Sequence, residues 1–209
     1  MKIGILGVGN LGGTLGVKWA EAGHSVMFGV RNPEEKRRSY GALDRPRDIE
    51  YLALGEAITE SEAILIAVPS GAVPGILSRH SGSLDGKIVI DATNDFSSPS
   101  ISRVSDITSS APSARVYRAF NSLGWESIKN PKFGDLSADL FYCGSAEETA
   151  RAAVEGLIRE VGLGPVWLGG LDMLEVVDNL AKLWVSLAVR QGRGRHLAFK
   201  LLSNSPKSG

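Results

Sequence analysis

Cysteine is almost absent from this chain: Cys143 is the only one among 209 residues, so neither an intramolecular disulfide nor a cysteine-rich metal site can form. Histidine is nearly as scarce. His24, His80 and His196 are scattered and read as structural or surface residues, no serine, histidine and aspartate constellation stands out, and no metal-ligand spacing occurs. Excess charge is missing too. The 23 lysines and arginines balance 23 aspartates and glutamates, which leaves no global positive field to hold a nucleic-acid backbone or an anionic membrane surface. Long apolar runs are also lacking. Glycines cut the short N-terminal run in MKIGILGVGN, and Asp178 and Lys182 interrupt the C-terminal one. These absences lead us to expect a cytoplasmic protein with no nucleic-acid or membrane partner, in which any anion is bound locally.

The remaining composition is that of an ordinary globular protein, 43% hydrophobic and 22% charged, long enough for one good core or one core with a small appended lobe. Short runs rich in valine and isoleucine recur between helical segments, the rhythm of a buried parallel sheet with helices on both faces. Strands are expected at Ile3 to Gly7, Ser25 to Gly29, Ala63 to Val68, Lys87 to Asp91, Val116 to Ala119 and Leu140 to Cys143. Helices are expected at Leu11 to Ala22, Pro33 to Tyr40, Leu54 to Ser61, Val73 to Ser81 and Ala146 to Val161. Gly41 to Ile49 is left as a loop or weak strand, and the tail Ser203 to Gly209 is expected to fray. The fold class is therefore α/β, a Rossmann-type doubly wound and mainly parallel sheet, with a small, mostly helical C-terminal part. Residues 1–163 would form the nucleotide-binding domain. Residues 164–209 would form the appended part, a short strand-like PVWLGG followed by a helical segment from Leu171 to Val189. In that segment Leu174, Val177, Leu180, Trp184 and Leu187 recur at three- or four-residue steps and mark one apolar face.

The chemistry is carried by Gly7-Val8-Gly9-Asn10-Leu11-Gly12, a G-x-G-x-x-G between the first strand and the first helix. Gly7 permits the tight turn, Gly9 lets the backbone approach a pyrophosphate, and Gly12 lets helix and strand pack closely. Free N–H groups at the helix start then face the phosphates. At the tip of the second strand, where NAD enzymes place an acid for the ribose hydroxyls, this chain has Arg31, followed by Asn32 and, a turn later, Lys36. A guanidinium grips a 2′-phosphate in a planar fork and a lysine adds a point charge, so NADP(H) is expected rather than NAD(H). Two further strand ends should complete the cleft: Val68 and Pro69 against the nicotinamide ribose, and Asn94 offering an amide to the carboxamide or ribose.

Together with Gly29-Val30-Arg31-Asn32, Ala67-Val68-Pro69 and Ala119-Phe120-Asn121-Ser122-Leu123-Gly124-Trp125, this motif resembles the NADP oxidoreductases dependent on coenzyme F-420, a deazaflavin. The ending from Gln191-Gly192 to Leu202 strengthens the likeness. The resemblance implies direct hydride exchange between NADPH and a flavin-like ring, in a homodimer whose smaller C-terminal part helps cover that ring. Such chemistry needs donor and acceptor stacked at the right distance rather than acid or base residues, so no catalytic residue is assigned. Asn121, Leu123 and Trp125 are expected near the acceptor, Asn121 standing where family members can place a histidine. The same segment is similar to the NADP-binding reductase domain of membrane ferric and cupric reductases, so coenzyme F-420 and an ordinary flavin both stay open as second substrate. Two alternatives also stay open: a reductase of free flavin, quinone or another small molecule, and a non-catalytic NADP(H)-binding redox sensor.

Overall fold

The computed structural model describes residues 1–40 and 49–204. Strand β1 (Lys2–Leu6) leads into α1 (Asn10–Glu21), β2 (Ser25–Val30), α2 (Pro33–Tyr40), β3 (Ile49–Ala53), α3 (Leu54–Glu60) and β4 (Ala63–Ile66). There follow α4 (Val73–His80), β5 (Ile88–Asp91), α5 (Val104–Ser110) and β6 (Arg115–Arg118). The rest comprises α6 (Trp125–Lys129), a small hairpin of β7 (Lys132–Phe133) and β8 (Leu136–Ser137), then β9 (Asp139–Gly144), α7 (Glu148–Glu160), β10 (Gly164–Trp167) and α8 (Leu174–Val185). A π-helical turn, Ser186–Arg190, ends α8.

Eight of the described strands form one sheet in the order β10-β9-β6-β5-β4-β1-β2-β3. Its first six strands in the chain run parallel in the doubly wound order, and strand order reverses between β1 and β4, where a crevice opens beyond the carboxyl ends of the strands. Ile5 sits at the centre, level with Phe28 on one side and Leu65 on the other. The sheet then departs from pure parallel geometry. Strand β9 joins β6 antiparallel, with Arg118 opposite Cys143, and β10 joins β9 parallel.

The alternation predicted from sequence works because central parallel strands are covered on both faces. Leu15 and Trp19 of α1 pack with Val154, Leu157 and Ile158 of α7 on one face, and the Trp19 indole donates to the Leu157 carbonyl at 3.0 Å. Ile58, Val73, Leu77 and Ile107 from α3, α4 and α5 cover the other. Strand β3 was missed in part: Ile49 was left within a loop or weak strand and residues 50–53 were given no element, because exposed Glu50 and Ala53 at a sheet edge break the apolar pattern. The expected region Gly41 to Ile49 falls, up to residue 48, outside the described residues, as does the tail beyond Asn204. Helix α5 was also missed, because only Val104 and Ile107 of its seven residues are buried.

Cys143 lies fully buried, and burial pushes its thiol up to about 12, so the thiol stays protonated and inert. Among the described residues no helix is long and apolar enough to cross a membrane, and no cluster of side chains could hold a metal ion.

Candidate dinucleotide and acceptor site

The turn after β1 has the geometry its glycines were expected to supply. Gly7 adopts φ +110°, where a side chain is strained, and a Cβ there would come within 2.6 Å of the Ala67 carbonyl. A Cβ on Gly12 would meet the Gly7 carbonyl oxygen at 2.2 Å, so α1 can start this close to β1 only without a side chain. Gly9 differs: nothing lies within 4 Å of the position its Cβ would take. It precedes α1, carries no capping side chain, and no acid occupies the first helical turn. Open space beside Gly9 and the favourable dipole at the start of α1 make this turn a ready seat for a diphosphate.

Two cavities flank this turn. The larger, about 940 Å³, lies beyond β1, β2 and β4, and Gly7, Val8, Arg31, Asn32, Lys36, Val68 and Pro69 all line it. In its rim the Asn32 side chain accepts from the Glu35 N–H at 3.3 Å and donates to the Glu35 carboxylate at 3.2 Å, which holds that acid against the start of α2. Arg79 and His80 at the end of α4 border the same cavity; Arg79 was not singled out from the sequence, and His80 was read there only as a structural or surface residue. Nothing in a short helix of mixed composition marks them. The smaller cavity, about 490 Å³, opens on the other side of the turn; Asn10 and Leu11 line it, with Asn94, Asn121, Leu123 and Trp125. Gly9 and Gly12 line neither cavity, Gly12 being spent on helix packing.

The second cavity is mostly apolar, with Phe96, Phe120, Trp184, Val185 and Val189 as further walls. Its polar groups are placed by a buried network. Arg118, fully buried at the end of β6, donates from Nε to Asp178 at 2.8 Å and from Nη1 to the Asp91 carbonyl, the Asp91 carboxylate and the Thr93 carbonyl. Its Nη2 donates to Asn94 Oδ1 at 2.7 Å, and a guanidinium can only donate, so the Asn94 amide nitrogen must face away. That nitrogen donates to the Asn121 backbone carbonyl at 2.9 Å. Asn94 thus borders the cavity while its oxygen is already engaged. Asp91 also accepts from the Thr93 N–H and hydroxyl and from the Arg103 N–H.

Asn121 is the opposite case. It is 4% exposed, yet neither Oδ1 nor Nδ2 has a hydrogen-bond partner among the described residues. Leaving such a buried group unpaired costs about 1–3 kcal/mol, and Asn121 lines the smaller cavity, where a bound ligand would complete it. The preceding Phe120 is the only described non-glycine residue at positive φ, +61°, a left-handed conformation costing about 1–2 kcal/mol that points to constraint at a functional turn.

The C-terminal part covers this region. The Trp184 indole donates to the Leu197 carbonyl at 2.7 Å, Ser127 donates to the same carbonyl, and Arg195 pairs with Glu126 at 2.6 Å. Gly124 permits the approach, since a Cβ there would lie 2.8 Å from the Arg195 carbonyl. Next to Phe96, Ser97 donates from its hydroxyl and its N–H to Asp95, holding that half-buried carboxyl below the usual carboxylate range and stiffening the turn that carries Phe96. Trp184 was read from sequence only as part of an apolar helix face. Asp178, seemingly a break in that face, lies buried on it.

Fold and site together define a Rossmann protein of the oxidoreductase class, built to seat a dinucleotide across its glycine turn. Residues 2–95 match the family described as NADP oxidoreductase coenzyme F420-dependent. The chain is 28% identical over 184 residues to the metalloreductase STEAP3 of Rattus norvegicus, a match covering 86% of this chain and 36% of that protein. The chain thus spans about a third of the length of that relative. Among solved structures, a protein from an Arthrobacter species provisionally described as an F420-dependent NADP-reductase superposes with a TM-score of 0.83 at 24% identity, covering 97% of this chain and 100% of that one. A hypothetical protein from Sinorhizobium meliloti follows with a TM-score of 0.68 at 25% identity over 98% and 96% of the two chains.

Proposed function

We propose that this protein transfers a hydride between NADP(H) and a planar flavin-like ring, coenzyme F-420 or a flavin. The observation that carries this reading is the pair of cavities on either side of the glycine turn, the smaller one floored by the unpaired Asn121 carboxamide. In this reading Arg31, Asn32 and Lys36 hold the 2′-phosphate end in the larger cavity, the first turn of α1 holds the diphosphate, and the reacting ring reaches the smaller cavity past Asn10 and Leu11. The nicotinamide supplies the hydride. The chain supplies the rest: an apolar box of Leu123, Trp125 and Trp184 that excludes water and stacks ring on ring.

Asn121 offers one donor and one acceptor side by side, which an N–H next to a C=O satisfies together. The pyrimidinedione edge of a flavin or deazaflavin has both; a quinone has only acceptors and would leave Oδ1 bare. Charge favours the same choice. Six of the 23 lysines and arginines, and none of the 23 acids, lie after Asp178, and Arg195, though paired with Glu126, borders the cavity, so a phosphate-bearing acceptor suits this end of the chain.

Mixing the protein with NADPH and, separately, coenzyme F-420, FMN, riboflavin or a quinone, while following nicotinamide absorbance, tests this reading. Turnover is expected with F-420 or FMN, weaker with riboflavin, and weakest with quinone; Asn121→Ala should cut kcat/KM for the acceptor about tenfold to a hundredfold. Tight NADPH binding with no turnover of any of the four would overturn it in favour of a redox sensor.

The homodimer expected from the resemblance has a candidate face on α8, where Val176 and Leu183 are about half exposed and half-buried Leu180 and Leu187 continue the stripe. Sedimentation should give twice the 22.2 kDa chain mass, and Leu183→Glu should return the monomer. A native protein sedimenting as a single chain removes the dimer from the reading.

A further inference from the structure

We propose that Arg118 is a positioning residue for hydride transfer, a buried strut through which α8 sets the placement of Asn94 and Asn121. This rests on the reaction proposed above. Arg118 lines neither cavity and is wholly buried, so it does not touch a ligand. Its contacts, however, all lie behind the walls of the smaller cavity. One fork reaches Asp178 on α8, the helix that also brings Trp184 and Val185 to the cavity. The other fork reaches Thr93 and Asn94 at the end of β5. Asn94 in turn holds the Asn121 carbonyl, and Asn121 follows Phe120 in its left-handed conformation. One planar cation therefore indexes the ring-facing amide to the helix that closes over it.

Stability alone does not account for this arrangement. Burying a cation with two carboxylates, Asp91 fully buried and Asp178 10% exposed at its side chain, gains little net over apolar packing of the same volume. What the cluster does fix is geometry, because a guanidinium presents its donors in one rigid plane while a lysine ammonium offers a single point charge. Arg118→Lys keeps the charge and cannot reach Asp178 and Asn94 together.

The test measures NADP affinity by calorimetry and the single-turnover rate of NADPH oxidation with FMN or coenzyme F-420, whichever the native protein reduces. Arg118→Lys should leave the NADP dissociation constant within about twofold and slow hydride transfer about tenfold to a hundredfold, as misplaced reacting groups do. Placed in an Asn121→Ala background, the same change should cost less than about twofold, because its route runs through Asn121; a purely structural role would give additive losses. Asp178→Ala, at the solvent edge of the cluster and compatible with the helix, repeats the cycle if the buried substitution does not fold, with about a tenfold loss expected in the native background. Turnover that both variants leave unchanged, or losses that add fully to that of Asn121→Ala, overturns the positioning role alone. Absence of turnover by the native protein overturns the reaction, and this role with it.

Discussion

Gly9→Ala is expected to fold as stably as the native chain and yet lose most of its affinity for NADP, whereas Gly12→Ala should fail in folding first. The two glycines sit three residues apart in one motif, but the space around them differs. A methyl group on Gly9 meets nothing within 4 Å, and its φ of −71° suits any residue, so stability should change by less than about 1 kcal/mol. That methyl would occupy the ground a diphosphate must cross, and a loss on the order of a hundredfold in affinity is expected by calorimetry. On Gly12 the methyl would sit 2.2 Å from a backbone oxygen that cannot step aside, costing about 3 kcal/mol or more and lowering the melting temperature by about 6–12 °C. If Gly9→Ala bound NADP normally, the diphosphate would not pass over this turn.

Arg31→Asp should reverse the cofactor preference. At the tip of β2 the guanidinium borders the larger cavity with Asn32 and Lys36, while Glu35 is hydrogen-bonded to Asn32. Removing a charge-assisted contact costs about 1.5–3 kcal/mol, and the new carboxylate adds repulsion toward a 2′-phosphate while accepting from the ribose hydroxyls of NADH. The ratio of kcat/KM for NADPH over NADH should fall at least about a hundredfold. An unchanged ratio would remove Arg31 from the phosphate site.

Much of this was legible in the sequence because central parallel strands are apolar on both faces: Ile3 to Leu6 and Ala63 to Ile66 are buried runs that announce themselves. The glycine turn was legible because its constraints are local. What escaped is long-range or marginal. Edge strand β3 mixes exposed Glu50 with buried Tyr51, so neither period dominates. Arg118, a lone charge inside an apolar strand, signals a buried pair, but its partners lie 27 and 60 positions away and no local pattern names them. Asn94 was expected to offer an amide to the nicotinamide carboxamide or ribose and Asn121 to lie near the acceptor; only the folded network shows that Arg118 occupies the Asn94 oxygen while the Asn121 carboxamide has no partner among the described residues.

The two cavities draw on different stretches of the chain. Every residue around the larger one comes from before position 81, whereas the smaller takes most of its wall from residue 120 onward. On the proposed assignment, recognition of the electron donor and recognition of its recipient are separately heritable: the later stretch can be rewritten to suit a new recipient while the earlier one goes on serving the same nucleotide. That separation gives a physical reason why a common opening half can stand in front of dissimilar reductive chemistries.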